Sequence, residues 1–330
     1  MKITFLTECN NNTGLGHLMR SLSIAHAFKV IGLKPEFIID GDKNLSKFID
    51  DSFIACFFNW ANDIDKLLSI INKADILFID SISISKSKYR KIVNSKKNIV
   101  FIDDYHRWSH SKGIIVDWTV NAKYEIKTIE GVYYLIGPKY TALRKEFYDV
   151  SERKHSKNIQ KALITFGGSD IRNMTPKIIS FFKEFYPEIF LNIVIGKSYN
   201  NTVEIKNIAP KNAKLIYSPD AKLMKNMMLK SDIALASGGQ TLYELARVGL
   251  PALAIILIDN QIEDTEGWSK LGSLFNLGWW DDKKIIDKLN SNMRLINEYP
   301  TRVKMGKIGQ NTIDGSGARR IADFALKNLT

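Results

Sequence analysis

The chain has 330 residues, of which 45% are hydrophobic and 25% charged, the balance of a soluble globular protein with room for two cored domains. Forty-seven basic against 35 acidic residues give a formal net charge of +12, which favours a polyanion, an anionic membrane surface or a phosphorylated substrate as partner. No apolar run approaches a bilayer span, the two cysteines and five histidines show no metal-ligand spacing, and the dispersed lysines lack the aromatic interleaving of a nucleic-acid binder.

The chain enters a short apolar, β-forming run at residues 2–7, without a signal segment, so a cytoplasmic location is expected. A loop rich in Asn, Thr and Gly follows and contains Gly14 and Gly16. Leu18, Leu22, Ala25 and Phe28 then recur at helical spacing. The order is strand, glycine loop, helix. Two glycines let the backbone approach a ligand closely. His17 falls in the first helical turn, where the helix dipole opposes protonation, and a neutral imidazole can serve as a general base. Arg20, one turn on, shares its side and is expected to face an anion. Cys9 lies in the same loop but has no base near it in sequence, which argues against a nucleophilic role.

Strands are predicted at 36–40, 53–59, 76–80, 99–104, 114–120 and 133–138, with helices at 43–51, 64–72 and 85–94 between the earlier ones. Several strands end in acids, at Asp40, Asp80, Asp103 and Asp104. Alternation of this kind implies βαβ units and a parallel sheet, whose carboxyl edge is the ligand edge. Residues 151–160 are polar without apolar periodicity and read as an interdomain linker. The opening pattern then repeats. Strand 161–166 leads into Gly167-Gly168-Ser169-Asp170 and a helix near Met174. Strands at 191–195 and 214–217 and a helix at 221–230 follow. Strand 232–236 leads into Ser237-Gly238-Gly239-Gln240-Thr241 and a helix that ends at Gly249. Strand 251–258 leads to Asn260 and a helix over 263–271, and a last helix closes the chain.

The expected architecture is α/β: two Rossmann-like parallel-sheet domains, 1–150 and 151–330, facing across a cleft, with the last helix a candidate to cross back to the first domain. Backbone N–H groups in the two glycine loops of the second half can bind phosphate without a metal. Neither loop matches the P-loop, and Met19 stands where a dinucleotide fingerprint needs a third glycine, so a mononucleotide is favoured. Glu244, about one turn into the helix after Ser237, can accept ribose hydroxyls or simply be an acidic helix start.

The run Thr13-Gly14-Leu15-Gly16-His17-x-x-Arg20 resembles the start of the nucleotide-sugar hydrolases of pseudaminic acid biosynthesis in flagellin modification. Those enzymes cleave UDP-2,4-diacetamido-2,4,6-trideoxy-β-L-altropyranose. They are related to spore-coat polysaccharide proteins and to MurG-type glycosyltransferases of the GT-B fold. Matches continue in order through Phe101-Ile102-Asp103-Asp104, Asn121-Ala122, Gly137-Pro138-Lys139-Tyr140-x-x-Leu143-Arg144-x-Glu146-Phe147 and Phe166-Gly167-Gly168-Ser169-Asp170. Ser237-Gly238-Gly239-x-Thr241-x-x-Glu244 resembles a uridine-diphosphate-binding segment.

The resemblance implies that His17 activates water for attack on the anomeric carbon, with inversion and with neither metal nor cofactor. It places Gly14, Gly16, Arg20, Asp104, Asn121, Tyr140 and Arg144 on the sugar side, with Arg20 as a helper for the leaving group. It places Gly167, Gly168, Ser169, Ser237, Gly238, Gly239, Thr241, Glu244 and Asn260 around UDP. The implied partner is a UDP-sugar, with no nucleic acid and no membrane insertion; the oligomeric state is left open. The sequence departs from the family at Leu6 and Glu8, where Arg and Asp are common, and at Asp80-Ser81-Ile82, where Asp-x-Tyr is common. Two other functions fit the same residues. One is a UDP-sugar-dependent glycosyltransferase for surface polysaccharide or protein glycosylation, in peripheral contact with a membrane. The other is a non-catalytic nucleotide-sugar-binding protein.

Overall fold

A computed structural model describes residues 1–10, 15–60, 62–104, 106–122 and 129–329. Two units emerge: Met1–Lys145 together with the segment from Ser316 onward, and Glu146–Gly315. Residues 146–150 thus go with the second unit, and the last helix goes with the first.

The first unit holds β1 (Ile3–Cys9), α1 (Gly16–Val30), β2 (Glu36–Gly41), β3 (Ile54–Phe57), α2 (Ile64–Ile71), β4 (Ile76–Asp80), α3 (Lys86–Ser95), β5 (Ile99–Ile102), β6 (Gly113–Asp117) and β7 (Val132–Ile136). The seven strands are all parallel, in the order β3-β2-β1-β4-β5-β6-β7. Strand order reverses between β1 and β4, and Thr7 of β1 pairs with Asp80 of β4 at that point. β1, β4, β5 and β6 are buried along their whole length, as expected of parallel strands covered on both faces. Phe5 stacks between Phe37 and Phe78, and Phe28 of α1 meets Phe5 and Phe78 edge-on. That contact seats α1 on the sheet and sets where its first turn projects.

Several predicted boundaries shift. The helix expected over 43–51 is a 3-10 helix, Lys43–Phe48, capped by Asp42. The strand expected over 99–104 stops at Ile102, so Asp103 and Asp104 lie in the turn beyond it. The strand expected over 114–120 is Gly113–Asp117, which makes Asp117 a further acid at a strand end.

The second unit holds β8 (Lys161–Thr165), α4 (Met174–Phe185), β9 (Phe190–Ile195), α5 (Thr202–Ile208), β10 (Ala213–Tyr217), α6 (Ala221–Lys230), β11 (Ile233–Ser237), α7 (Thr241–Arg247), β12 (Ala252–Ile256), α8 (Ile262–Leu271), β13 (Leu274–Trp279), α9 (Ile285–Asn297) and α10 (Tyr299–Thr312). Its strands are again parallel, in the order β10-β9-β8-β11-β12-β13, with the reversal between β8 and β11. α11 (Gly317–Leu329) packs against α1 in the first unit.

Residues 151–160, expected to be a linker, are strapped to the second unit. Arg302, almost fully buried, donates to the carbonyls of Ser156, Lys157, Ile296 and Asn297. Arg153 donates to the carbonyls of Met228, Val248 and Ser231, and Gln310 binds both Arg153 N–H and the Ser151 carbonyl. The carbonyls of Ser151, Ser156 and Lys157 are thus bound by side-chain donors from one helix, α10. The segment read as a linker is held to the second unit by these bonds, while most of its residues stay exposed.

Candidate active site

In the second unit the glycine loops open at the strand-order reversal, where open parallel sheets bind ligands. In the first unit α1 is the next element after β1, one of the two strands that flank the reversal. Its N-cap, Leu15, makes no side-chain cap and its first turn holds no acid, so α1 supplies no carboxylate of its own to its first turn. His17 Nδ1 lies 2.7 Å from Asp80 Oδ1. A carboxylate can only accept, so Nδ1–H donates, and a neutral ring then carries its lone pair on Nε2. The ring is enclosed: His17 is 7% exposed.

Arg20 grips the same carboxylate. Its Nε lies 2.6 Å from Asp80 Oδ2 and its Nη2 2.6 Å from Asp80 Oδ1. Its Nη1 lies 2.5 Å from Asp104 Oδ2, and its guanidinium carbon sits 5.5 Å from the Trp118 ring centre. Ser21 Oγ donates weakly to Asp80 at 3.4 Å. Burial pushes the Asp80 carboxyl up, but the neighbouring Arg20 and His17 outweigh it and hold it at about 2. Burial pushes the Arg20 guanidinium down, and the two carboxylates more than reverse this, so it stays charged.

The anions that Arg20 faces are the protein's own carboxylates. Its guanidinium is committed to two carboxylates, and with a neutral His17 the cluster of one cation and two anions is net negative. Such a cluster repels a phosphate and stabilises an imidazolium. Asp104, expected beside the sugar, is first of all a ligand of Arg20.

Two more histidine–carboxylate pairs stand along this edge, unread in the sequence. His110 Nε2 donates to Asp103 at 2.8 Å while its Nδ1 accepts from the Tyr89 hydroxyl at 2.8 Å. His106 Nε2 lies 2.8 Å from the fully buried Asp117, and its backbone is left-handed with φ 51°. The signal available was the pair His106 and His110 following two adjacent acids. Burial pushes the Cys9 thiol up to about 11, which leaves it unreactive as a nucleophile near neutrality.

Gly14 lies outside the described residues. Gly16 is not demanded by packing, since a Cβ there would meet nothing within 4 Å. Asn121 follows β6 and is half-buried. Tyr140, in the 3-10 helix Pro138–Tyr140, and Arg144 follow β7, the edge strand, three places along the sheet from β4. The structure thus gathers His17, Arg20 and Asp104 with Asp80, and sets Tyr140 and Arg144 farther along the same edge.

In the second unit, Gly167 has φ 74°, and a Cβ on Gly196 would stand 2.3 Å from the Gly168 carbonyl, so these turns are pressed together. Asp170 accepts from the N–H groups of Met174 and Thr175, both at 2.8 Å. The N–H groups of Met174 and Thr175 are therefore already capped, and the loop amides before them are the ones to meet a phosphate. At the other loop Ser237 and Gly238 are buried, and the Gln261 side-chain oxygen bridges Gly238 N–H (3.3 Å) and Leu257 N–H (2.9 Å). Sequence reasoning missed Gln261, which ties the ends of β11 and β12. Gly239 and Thr241 are half-buried, Glu244 is buried within α7, and Asn260 is exposed. Among the described residues no group of three His, Cys, Asp or Glu side chains is placed to hold a metal, and no helix is long and apolar enough to cross a membrane.

No known protein-family pattern matches the chain. It is 30% identical over 286 residues to an uncharacterized protein of Methanocaldococcus jannaschii, covering 80% of this chain and 57% of that protein. It is 25% identical to a Helicobacter pylori pseudaminic acid cytidylyltransferase and UDP-2,4-diacetamido-2,4,6-trideoxy-β-L-altropyranose hydrolase, over 82% of this chain and 47% of that one. It is 24% identical to the Campylobacter jejuni UDP-2,4-diacetamido-2,4,6-trideoxy-β-L-altropyranose hydrolase, over 81% of this chain and 96% of that one. The chain thus spans about half the length of the first two relatives. Among solved structures, Acinetobacter baumannii MurG aligns over 99% of this chain and 100% of its own, with TM-score 0.67 at 13% identity. LpCGTa in complex with UDP aligns over 100% and 99%, with TM-score 0.65 at 11% identity. The chain has the GT-B glycosyltransferase fold, and its relatives include hydrolases of the kind its motifs resemble.

Proposed function

We propose that this protein hydrolyses a UDP-activated diacetamido-trideoxy sugar to the free sugar and UDP, as a step towards a pseudaminic-acid-type nonulosonate. The reading rests on one observation above the rest: the His17 imidazole, held through Nδ1 by the ionised Asp80. With that tautomer fixed, Nε2 accepts a proton from water. The water oxygen bonds the anomeric carbon, and the bond from that carbon to the β-phosphate oxygen breaks with inversion. The electron pair leaves on UDP, whose charge the amides around Gly167, Gly168, Ser169 and Gly239 would stabilise, with Ser237, Gly238, Thr241, Glu244 and Asn260 completing the nucleotide site. No metal or cofactor has a step. The negative Asp80–Arg20–Asp104 cluster would stabilise the imidazolium that forms.

The test is incubation with a panel of UDP-diacetamido sugars, without acceptor, in 18O-labelled water. Rapid UDP release with the label on the sugar supports hydrolysis at carbon, and label on phosphate refutes it. His17→Asn is expected to lose turnover and to keep UDP affinity within about twofold. A second reading, a glycosyltransferase in which His17 deprotonates an acceptor hydroxyl, draws on the glycosyltransferase neighbours of the fold. It gains if UDP release requires an added acceptor.

A further inference from the structure

Glu8 lies on β1 one residue beyond Thr7, the partner of Asp80 in the sheet. It is fully buried, and among the described residues no basic side chain forms an ion pair with it. A buried carboxylate without a cation is costly unless hydrogen bonds replace its hydration. Among the described residues its hydrogen bonds come from one short segment. Ser81 Oγ donates at 2.7 Å, Ile82 N–H at 2.7 Å, Ser83 N–H at 3.2 Å, and the Ser83 hydroxyl donates as well. The same segment is held from its acceptor side. Arg107 Nη1 donates to the Ile82 carbonyl at 2.5 Å and Nη2 to the Ser81 carbonyl. Ser81 Oγ also accepts the Ile84 N–H at 3.2 Å, which closes the turn.

Asp80 is the residue between these two constraints. On its N-terminal side the β1–β4 pairing fixes it, and on its C-terminal side the Glu8-bound turn begins at the next residue. The Asp80 carboxylate must meet His17 Nδ1 and two Arg20 nitrogens at once, within 2.6–2.7 Å. Small rotations at the strand end would break that fit.

We propose that Glu8 is a positioning residue: by clamping Ser81–Ser83 it sets the Asp80 carboxylate, and through it the tautomer and aim of His17. The inference rests on the role given to His17 above. Glu8 touches no reacting atom. Its charge acts on the turn, and the turn acts on Asp80.

The experiment compares wild type, Glu8→Gln, Ser83→Ala, Asp80→Asn and the Glu8→Gln/Asp80→Asn pair, with UDP-2,4-diacetamido-2,4,6-trideoxy-β-L-altropyranose as probe and 15N-histidine labelling as a second readout. Ser83 is exposed, so its alanine variant removes one donor with little risk to folding. Glu8→Gln is expected to lower kcat about 10–100-fold, with KM and UDP affinity within about twofold, as a misplaced catalytic group does. Ser83→Ala moves kcat the same way by a smaller factor. The double variant is no slower than Asp80→Asn alone, because both changes break one chain of action. In wild type the hydrogen-bonded His17 Nδ1–H is expected to resonate downfield. It is lost or shifted in both Glu8→Gln and Asp80→Asn.

Multiplying losses in the double variant, or a His17 signal unmoved by Glu8→Gln, would overturn the proposal. If wild type consumes no UDP-sugar, yet the His17 signal responds to Glu8→Gln, the functional reading fails and the positioning device stands.

Discussion

Asp80→Asn tests the centre of the site without changing its size. The Asp80 carboxyl is held at about 2 against an ordinary 3.8, although it is fully buried. At 1.36 kcal/mol per pH unit, the ionised form contributes about 2 kcal/mol to folding. The sign follows from the depressed value. The stability is present above about pH 4, where the unfolded chain is also ionised, and is lost as pH falls towards 2. Asparagine removes the charge and turns one acceptor into a donor, which must then face Arg20 or His17, both donors at this point. Arg20 keeps only Asp104. The expected cost at pH 7 is about 2–4 kcal/mol, enough to measure and small enough to leave a folded protein. Loss of the counter-charge to the forming imidazolium is expected to lower kcat by about 100-fold or more. Urea unfolding of wild type and variant from pH 7 to pH 3 measures the first quantity, and UDP release the second. The stability gap should hold above pH 4 and narrow below it. A gap under about 0.5 kcal/mol at pH 7, or one that does not narrow in acid, would refute the electrostatic account of Asp80.

Two other predictions concern the second unit. A Cβ on Gly238 would stand 2.1 Å from Thr265 Oγ1, whereas one on Gly239 would meet nothing within 4 Å. Gly238→Ala should therefore lose about 1–3 kcal/mol of stability, and Gly239→Ala should keep its melting temperature while weakening UDP in calorimetry. Burial, then the charges of Arg153 and Arg302, hold the His155 ring down at about 4 from 6.5. The unfolded chain binds more protons between those values, so stability falls as pH drops through that window, and His155→Gln should flatten the fall in unfolding curves taken from pH 7 to pH 4.

Much of the fold was legible in residue order. Short apolar runs alternating with helical spacing marked the parallel sheets, and the two loop-to-helix turns of the second half lie where strand order reverses. The stretch after α8 was passed over. β13 is only half-buried, and α9 carries its spacing, Ile285, Leu289, Met293 and Ile296, amid polar residues. The docking of 151–160 was not legible either. Its partners are guanidiniums from Arg302 and from Arg153 itself, and the acceptors are carbonyls, which carry no residue identity.

The site divides the same way. His17 could be named from its place at a helix start, because that position is a local matter of spacing and dipole. Its environment could not. Asp80 lies 63 residues away, and it meets His17 because β4 pairs directly with β1 while β2 and β3 go to the other side. That strand order gives Arg20 two carboxylates to hold, and makes Glu8 an anchor for the turn after Asp80. Local pattern determined which elements form and which residues stand at the sheet's carboxyl edge. Only the tertiary structure decided which charges face each other there, because that depends on contacts between strands far apart in the chain.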